Sequence, residues 1–291
     1  MKKKIDTLLR PWNKSPPLFT IALVRIFVGV FILWAYLSQF HVLQILTDSN
    51  GLKIYIYETM NWYQHYVLYI YWILIVSTIF FIIGYKTILF GVIVLICHLI
   101  FLEANLHLYG WTHTFPFLFV PLLFSYPHYR VSIDARLNHK KRNKPASYGY
   151  ILLKIHISLL YLSTALYRVG YELWDQGIIV YYLLNIDQYT RFETLTSLDI
   201  IKKISPITTY SVLIVEFFSP ILMWFRKTSI IGLCALIIFH LGLDVFSIIE
   251  WWHRMLICFL LIFIPDTWAM KIFEKSNIII QQIFRKFIVR N

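Results

Sequence analysis

The feature that most constrains this chain is a series of apolar runs that approach the length of a bilayer-spanning helix. Such a helix needs about 20 mostly apolar residues. The runs predict an all-α fold, a polytopic bundle of about eight transmembrane helices that forms a single domain over residues 1–291. They lie at 18–37, 67–84, 87–106, 113–127, 149–168, 208–225, 228–247 and 255–270.

The composition excludes the main alternatives. Apolar residues make up 59% of the chain and charged residues only 14%, whereas soluble domains carry about 25% charged residues. An aromatic content of 18% also argues against a disordered chain. The fourth run is short and contains Pro116 and Pro121, so we expect it to be broken or re-entrant. No small-residue cleavage site follows the first run, which we therefore expect to be a retained helix.

The distribution of basic residues predicts the orientation. With the N-terminus in the cytoplasm, 19 of the 27 Lys and Arg residues fall on inner segments and 6 on outer segments, and Arg25 and Lys154 lie within helices. This asymmetry is typical of membrane proteins and predicts that both termini are cytoplasmic. The excess of basic residues on the inner segments then accounts for the net charge of +12. The basic run 139–144 is accordingly interpreted as a cytoplasmic loop, and no nucleic-acid partner is predicted.

Three further segments combine charged residues with aromatic or aliphatic ones, a pattern typical of amphipathic helices on a membrane surface. Segments 38–66 and 169–207 are predicted to lie at the outer interface. The basic tail 272–291 is predicted to lie on the inner leaflet, where anionic lipids attract Lys and Arg. Membrane lipid is therefore the first predicted partner.

Several polar side chains fall inside the apolar runs, where a charge costs about 2.5–3.5 kcal/mol on insertion scales. Arg25 either extends to the inner interface or faces inward as a structural or functional ion pair. His98 is predicted to be a hydrogen-bonded packing residue. In the fifth run, polar residues at spacings of three and four share one helix face, which should contact protein or water. That face consists of Lys154, Ser158, Tyr161, Ala165 and Arg168.

A group of polar residues is predicted on the outer side. His240 and Asp244 are four residues apart and share a helix face. The carboxylate can therefore orient the imidazole, although separate hydrogen bonds to other helices fit this spacing equally well. We expect one polar site that opens outward. Its predicted members are Glu103, His107, Arg168, Glu216, His240 and Asp244. Glu103, Asn105 and His107 fit a polar helix end in an aromatic belt equally well.

Four stretches together resemble a known family. They are Leu23-Val-Arg25-Ile-Phe-Val-Gly29, Asn105-Leu-His107-Leu-Tyr109-Gly110, the segment from Tyr161 through Tyr167-Arg168 and Trp174-Asp175 to Gly177, and Phe239-His240 through Phe246-Ser247. Their order and spacing are similar to those of the horizontally transferred transmembrane (HTTM) domain. This family contains bacterial relatives of the vitamin K-dependent gamma-carboxylase.

The resemblance implies roles for particular residues. In the carboxylase, a lysine of the third stretch is associated with deprotonation of reduced vitamin K, and a histidine of the Asn-His-Tyr motif supports the site. These roles fall on Arg168 or Tyr167 and on His107. Arginine keeps its proton to above about pH 12 and is a poor base, and the carboxylase's large lumenal domain has no counterpart here. Gamma-carboxylation itself is therefore not expected.

Two functions remain open. The first is a membrane enzyme of a bacterial inner membrane that acts on a lipophilic cofactor, a reduced quinone by resemblance, or on a secreted peptide. The second is a non-catalytic partner in the maturation or export of such a peptide, as the sporulation-delaying-protein B type of family member implies. A transporter is disfavoured because no inverted repeat is visible. The catalytic candidates are His107, Arg168, Glu216, His240 and Asp244, the cofactor-binding candidates are Arg25, Asn105, Tyr109, Tyr167 and Trp174, and no metal site is predicted.

Overall fold

The computed structural model describes residues 16–41, 43, 61–103, 111–137, 148–186, 190–191, 199–247 and 250–276. Helices account for most of these residues, and the extended pairing among them is an isolated bridge between Thr190 and Ser247. The long helices are α1 (Leu18–Ser38), α2 (Asn61–Ile83), α3 (Thr87–Glu103), α4 (Trp111–Phe124), α6 (Tyr148–Arg168), α9 (Asp199–Leu222), α10 (Ser229–Phe246) and α11 (Glu250–Leu260). The shorter ones are α5 (Ile133–Leu137), α7 (Glu172–Asp175), α8 (Ile179–Asn185) and α12 (Asp266–Ser276).

Every predicted apolar run overlaps a helix, so the all-α polytopic prediction is confirmed. Five helices within the described part of the chain are long and apolar enough to cross a membrane, namely α1, residues 66–83 of α2, α6, α9 and α10. The bent pair formed by residues 251–263 and α12 adds a sixth candidate. Helices α3 and α4 are apolar but shorter. Helix α9 begins at Asp199, nine residues before the predicted run.

The long helices form a closed ring. Each packs on the next in the order α1, α2, α3, α4, α6, α9, α10 and α11, and α11 returns to pack on α1. Helix α1 buries one face against its neighbours and exposes an apolar stripe formed by Phe27, Val30, Trp34 and Leu37. Aromatic rings fill the interior beside it: Phe31 lies 5.3 Å from Trp111 and Tyr36 lies 5.5 Å from Phe101, centroid to centroid.

The bundle contains a break that the sequence did not predict. Helix α4 is continuous, although Pro116 and Pro121 both lie inside it. The run 255–270, predicted as one span, instead bends by 109° between residues 263 and 266. Pro265 explains this correction, because it lacks an N–H and pushes the preceding residue out of the helical region. Ile264 accordingly has an extended backbone (φ −65°, ψ 136°).

Arg25 anchors the end of the bundle that is predicted to be cytoplasmic. Its side chain is fully buried, and its two terminal nitrogens donate to the carbonyls of Pro127 (2.7 Å) and Val131 (2.5 Å). Gly84 makes room for it, because a Cβ at this position would lie 2.9 Å from Arg25 Nη1. Arg25 therefore faces inward, in agreement with one of the two interpretations. Its hydrogen-bond partners, however, are backbone carbonyls and not the carboxylate of an ion pair.

Asp134 of the short helix α5 joins the same end to α3. Its carboxylate accepts hydrogen bonds from the backbone N–H groups of Lys86 and Thr87 (both 2.8 Å) and from the Thr87 hydroxyl (2.7 Å). Asp134 thus caps the N-terminus of α3 from another helix. Burial alone would raise the pKa of Asp134, but the hydrogen bonds from Thr87 and Lys86 outweigh it and hold the pKa below the ordinary aspartate value.

Candidate functional site

A continuous chain of three hydrogen-bonded side chains crosses the interior between α6, α10 and α11. The Tyr161 hydroxyl lies 2.6 Å from Nε2 of His240, and Nδ1 of His240 lies 3.1 Å from Nδ1 of His253. Their relative exposures are 3%, 2% and 7%. Buried polar groups are expensive unless they are hydrogen-bonded, so this chain, which we call the Tyr–His–His chain, is a specific feature of the interior.

The local sequence explains how each member reaches the interior. Tyr161 belongs to the polar face of α6, which was predicted to contact protein or water. Its three middle residues, Ser158, Tyr161 and Ala165, are buried in protein. His240 lies on the face of α10 that packs against α6 and α11. His253 lies in the first turn of α11, which packs on α10.

The contacts restrict where the protons of the Tyr–His–His chain can lie. Two neutral imidazoles that meet through their Nδ1 atoms share one proton, because one nitrogen donates and the other accepts. If His240 donates, its Nε2 accepts from the Tyr161 hydroxyl. If His253 donates, His240 Nε2 carries a proton and donates to the Tyr161 oxygen. The chain therefore has two opposite arrangements. Conversion of the first into the second moves the Tyr161 proton to His240 Nε2 and the His240 Nδ1 proton to His253 Nδ1, while Tyr161 takes up a proton from outside the chain and His253 releases one from Nε2.

An ion pair lies beside the Tyr161 end of this chain. Arg168 Nη1 at the C-terminus of α6 pairs with the Glu216 carboxylate of α9. The Glu216 side chain is 5% exposed and that of Arg168 is 25% exposed, and Glu216 also interacts electrostatically with Tyr161. Trp174 covers the guanidinium, with its ring centroid 4.4 Å from Arg168 Cζ. The structure thus brings Arg168 together with Glu216, both predicted members of the polar site, and with Trp174, a predicted cofactor-binding residue.

A second ion pair lies beside the His253 end, and it corrects one prediction. Asp244 does not orient His240; its carboxylate pairs with Arg254, with Nε and Oδ1 3.1 Å apart. The second nitrogen of His240 binds His253 instead. Arg254 is one residue beyond His253 on α11, so this helix supplies partners to both members of the His240–Asp244 pair. Asp244 still interacts electrostatically with His253.

Two tryptophans contact the guanidinium of the Asp244–Arg254 pair. The Arg254 Cζ lies 4.6 Å from the ring centroid of Trp34 and 5.7 Å from that of Trp251. Arg168 and Arg254 therefore each contact both a carboxylate and an aromatic ring. Both contacts stabilise the charged guanidinium where water is scarce.

The other predicted site residues lie elsewhere or outside the described residues. Tyr167 is 70% exposed, and its ring contacts Tyr171 rather than the buried chain. Arg25 lies at the opposite end of the bundle, held by loop carbonyls, and is not part of the outer cluster. Glu103 is exposed at the C-terminus of α3. The positions of Asn105, His107 and Tyr109 are outside the described residues.

His253 and Arg254 were not among the predicted site residues. The only available signal was their position after Trp251 and Trp252 at the start of an apolar run, which equally describes a helix end at the interface. His98, in contrast, is the packing residue that was predicted: its ring nitrogens lie 2.8 Å from the Tyr36 hydroxyl and 2.8 Å from the Thr112 carbonyl. Within the described residues, no group of three or more His, Cys, Asp or Glu side chains could hold a metal ion.

The fold and the Tyr–His–His chain define a polytopic membrane protein with a polar cluster in its interior. A family model, the HTTM domain, matches residues 13–268. The chain therefore belongs to the HTTM domain family. No curated protein and no solved structure matches it significantly.

Proposed function

We propose that this HTTM-family protein is an enzyme of a bacterial inner membrane, in which the Tyr–His–His chain takes a proton from a lipophilic substrate or cofactor bound beside Arg168. The observation that carries the proposal is the uninterrupted path Tyr161–His240–His253 between two arginine–carboxylate pairs. A purely structural hydrogen bond between helices needs two side chains, whereas this path has three and can reverse its direction.

Arg168 is suited to hold an anionic oxygen. Its Nη1 pairs with Glu216, while its Nε and Nη2 have no partner among the described residues. The side chain is also partly exposed, and Trp174 offers a flat ring beside it. Glu216 fixes the guanidinium in place. These residues fit the ring oxygen of a reduced quinone, the cofactor that the family resemblance implies, because a guanidinium binds an ionised oxygen through its remaining N–H donors.

A bound reduced quinone would supply an acidic ring hydroxyl. The Tyr161 oxygen accepts a proton while its own proton passes to His240 Nε2. The His240 Nδ1 proton passes in turn to His253 Nδ1, so the positive charge ends on the His253 imidazole. Asp244 stabilises that charge through its electrostatic interaction with His253. Arg168 stabilises the negative charge at the other end of the chain, and neither charge is left unpaired in the membrane.

The test is binding of a reduced naphthoquinone with a short isoprenyl tail to the purified full chain in detergent micelles. The absorbance of the ionised ring hydroxyl reports deprotonation. We expect Arg168→Gln to weaken binding by roughly tenfold or more, the equivalent of about 1.4 kcal/mol. His240→Asn should retain binding but lose the ionised fraction.

His156→Asn is the matched control, because this membrane histidine stacks on Phe117, away from the Tyr–His–His chain. It should behave as the native chain does. Equal ionisation in the native protein and in His240→Asn would contradict the proposal. The non-catalytic alternative, a partner in the maturation or export of a secreted peptide, would be favoured if His240→Asn kept full biological activity while changes in segments 38–66 and 169–207 abolished it.

A further inference from the structure

Lys154 is a cation inside the bundle for which the described residues provide no anion. It lies on α6, and its Nζ is 4.6 Å from the ring centroid of Phe263, 4.7 Å from that of Trp224 and 5.5 Å from that of Tyr150. No carboxylate of the described residues lies within ion-pair distance of this nitrogen, and no hydrogen-bond acceptor among them receives its protons.

Aromatic faces attract an ammonium group but do not replace its hydration. A cation–π contact contributes about 0.5–2 kcal/mol, whereas three N–H donors without acceptors in a poorly hydrated place cost more than that. The side chain is partly exposed, so its open side can receive an acceptor from outside the protein. The three rings fix the direction from which an anion approaches.

Two further cations follow Trp224, the ring that contacts Lys154, by two and three residues. The Trp224 indole N–H donates to the Ser158 hydroxyl at 2.8 Å, which places the turn between α9 and α10 next to the Lys154–Ser158 turn of α6. That turn carries Arg226 and Lys227, both exposed. The three cations lie at the end of the bundle that the distribution of basic residues predicts to be cytoplasmic. The inner leaflet at this depth is rich in anionic headgroups.

We propose that Lys154, Arg226 and Lys227 bind the phosphate of an anionic phospholipid in the cytoplasmic leaflet, with an acyl chain against the exposed face of Trp224. The site is separate from the Tyr–His–His chain, and the proposal does not depend on the proposed enzymatic function. It explains why a lysine lies within the apolar run 149–168: its aromatic surroundings orient the ammonium group toward a headgroup.

The experiment counts the lipids that remain on the full chain after reconstitution into nanodiscs of phosphatidylcholine and phosphatidylglycerol, using native mass spectrometry after gentle release. We expect the native chain to retain phosphatidylglycerol preferentially. Lys154→Gln should lose this preference, and Lys154→Arg should keep it because the charge is preserved. Lys203→Gln, at an exposed lysine of α9, is the matched control and should behave as the native chain does.

Arg226→Gln combined with Lys227→Gln provides a second test, since both side chains are exposed and their replacement does not disturb the core. This variant should also lose the preference. An equal preference in Lys154→Gln and Lys203→Gln would overturn the proposal. Inorganic phosphate alone, added during release, should not displace the lipid; full displacement at millimolar concentration would show a site for soluble phosphate and overturn the assignment to a phospholipid.

Discussion

At the scale of single residues, Arg25 shows how a charge can stabilise an apolar helix. Its terminal nitrogens bind the carbonyls of Pro127 and Val131, which belong to a loop rather than to a helix. We expect Arg25→Met to lower the free energy of unfolding by about 3 kcal/mol, because it leaves buried carbonyls without donors. Denaturant titration in micelles measures this. Arg136→Met, at an exposed position, should change the value little, and equal effects of both variants would contradict the role given to Arg25.

The partners of individual side chains could be predicted only in part. The polar face of α6 follows from spacing alone, so the inward orientation of Tyr161 and Arg168 could be predicted. The hydrogen-bond partner of His240 could not be predicted. Its spacing to Asp244 is compatible with a direct contact, but residues of the neighbouring helix α11 form the hydrogen bonds instead. His253 binds His240 and Arg254 binds Asp244, because helix α11 packs on α10 and places both residues within reach.

At the scale of helices, close packing at glycines yields a direct test. A Cβ on Gly149 would lie 2.2 Å from the backbone carbon of Phe124, so the start of α6 packs directly on the end of α4. Gly149→Ala must therefore displace backbone, and we expect a loss of about 2 kcal/mol or more of stability. Gly242→Ala is the matched control, because nothing lies within 4 Å of a Cβ there. That variant should be neutral or more stable, in line with helix propensity.

These two glycine variants should differ clearly in thermal unfolding followed by far-ultraviolet circular dichroism in micelles. Only Gly149→Ala should unfold at a lower temperature. A Gly149→Ala variant as stable as Gly242→Ala would mean that α4 and α6 do not pack backbone to backbone, and the ring of helices would then lack one of its contacts.

The cap between α5 and α3 predicts a dependence on pH. Because the pKa of Asp134 is lowered in the folded protein, its contribution to stability is fully present above the ordinary aspartate pKa of about 3.9. It is lost as the pH falls from there through the folded pKa. Asp134→Asn should lower stability at neutral pH by about 1 kcal/mol. Below the folded pKa its stability should approach that of the native chain.

The measurement for this cap is denaturant titration of native and Asp134→Asn protein at neutral pH and at a series of acidic pH values. Glu274→Gln removes a carboxylate from an exposed position of α12 and serves as the control. A constant difference between native and Asp134→Asn protein across the whole pH range would contradict the contribution of the ionised carboxylate.

Helix positions were more predictable than helix breaks. Apolar length alone locates a spanning helix, because the bilayer core sets that length. A proline acts according to its surroundings: Pro116 and Pro121 lie within the continuous α4, whereas Pro265 coincides with a bend of 109°. Neighbouring helices can satisfy the backbone groups that a proline frees, and the identity of those neighbours is not visible in the sequence.

At the scale of the whole molecule, the ring of helices has two chemically different ends. The end with the Arg25 anchor and the Lys154 site is predicted to face the cytoplasm, and the end with Arg168 and Trp174 to face outward. A fluorescent protein fused after residue 142 should therefore fluoresce in a bacterial cell, whereas one fused after residue 176 should not, because export prevents its folding. Alkaline phosphatase fused at the same points should show the opposite pattern, and a reversed result would invert the predicted orientation.

The proposed proton transfer depends most on the shared protons of Tyr161, His240 and His253. Nitrogen NMR of histidine-labelled protein, with His240→Asn and His253→Asn for assignment, tests this most directly. We expect one protonated and one unprotonated Nδ1 in the His240–His253 pair, and a shift of His240 Nε2 in Tyr161→Phe. Two unprotonated Nδ1 atoms, with His240 insensitive to Tyr161→Phe, would contradict the continuous chain and with it the proposed proton transfer.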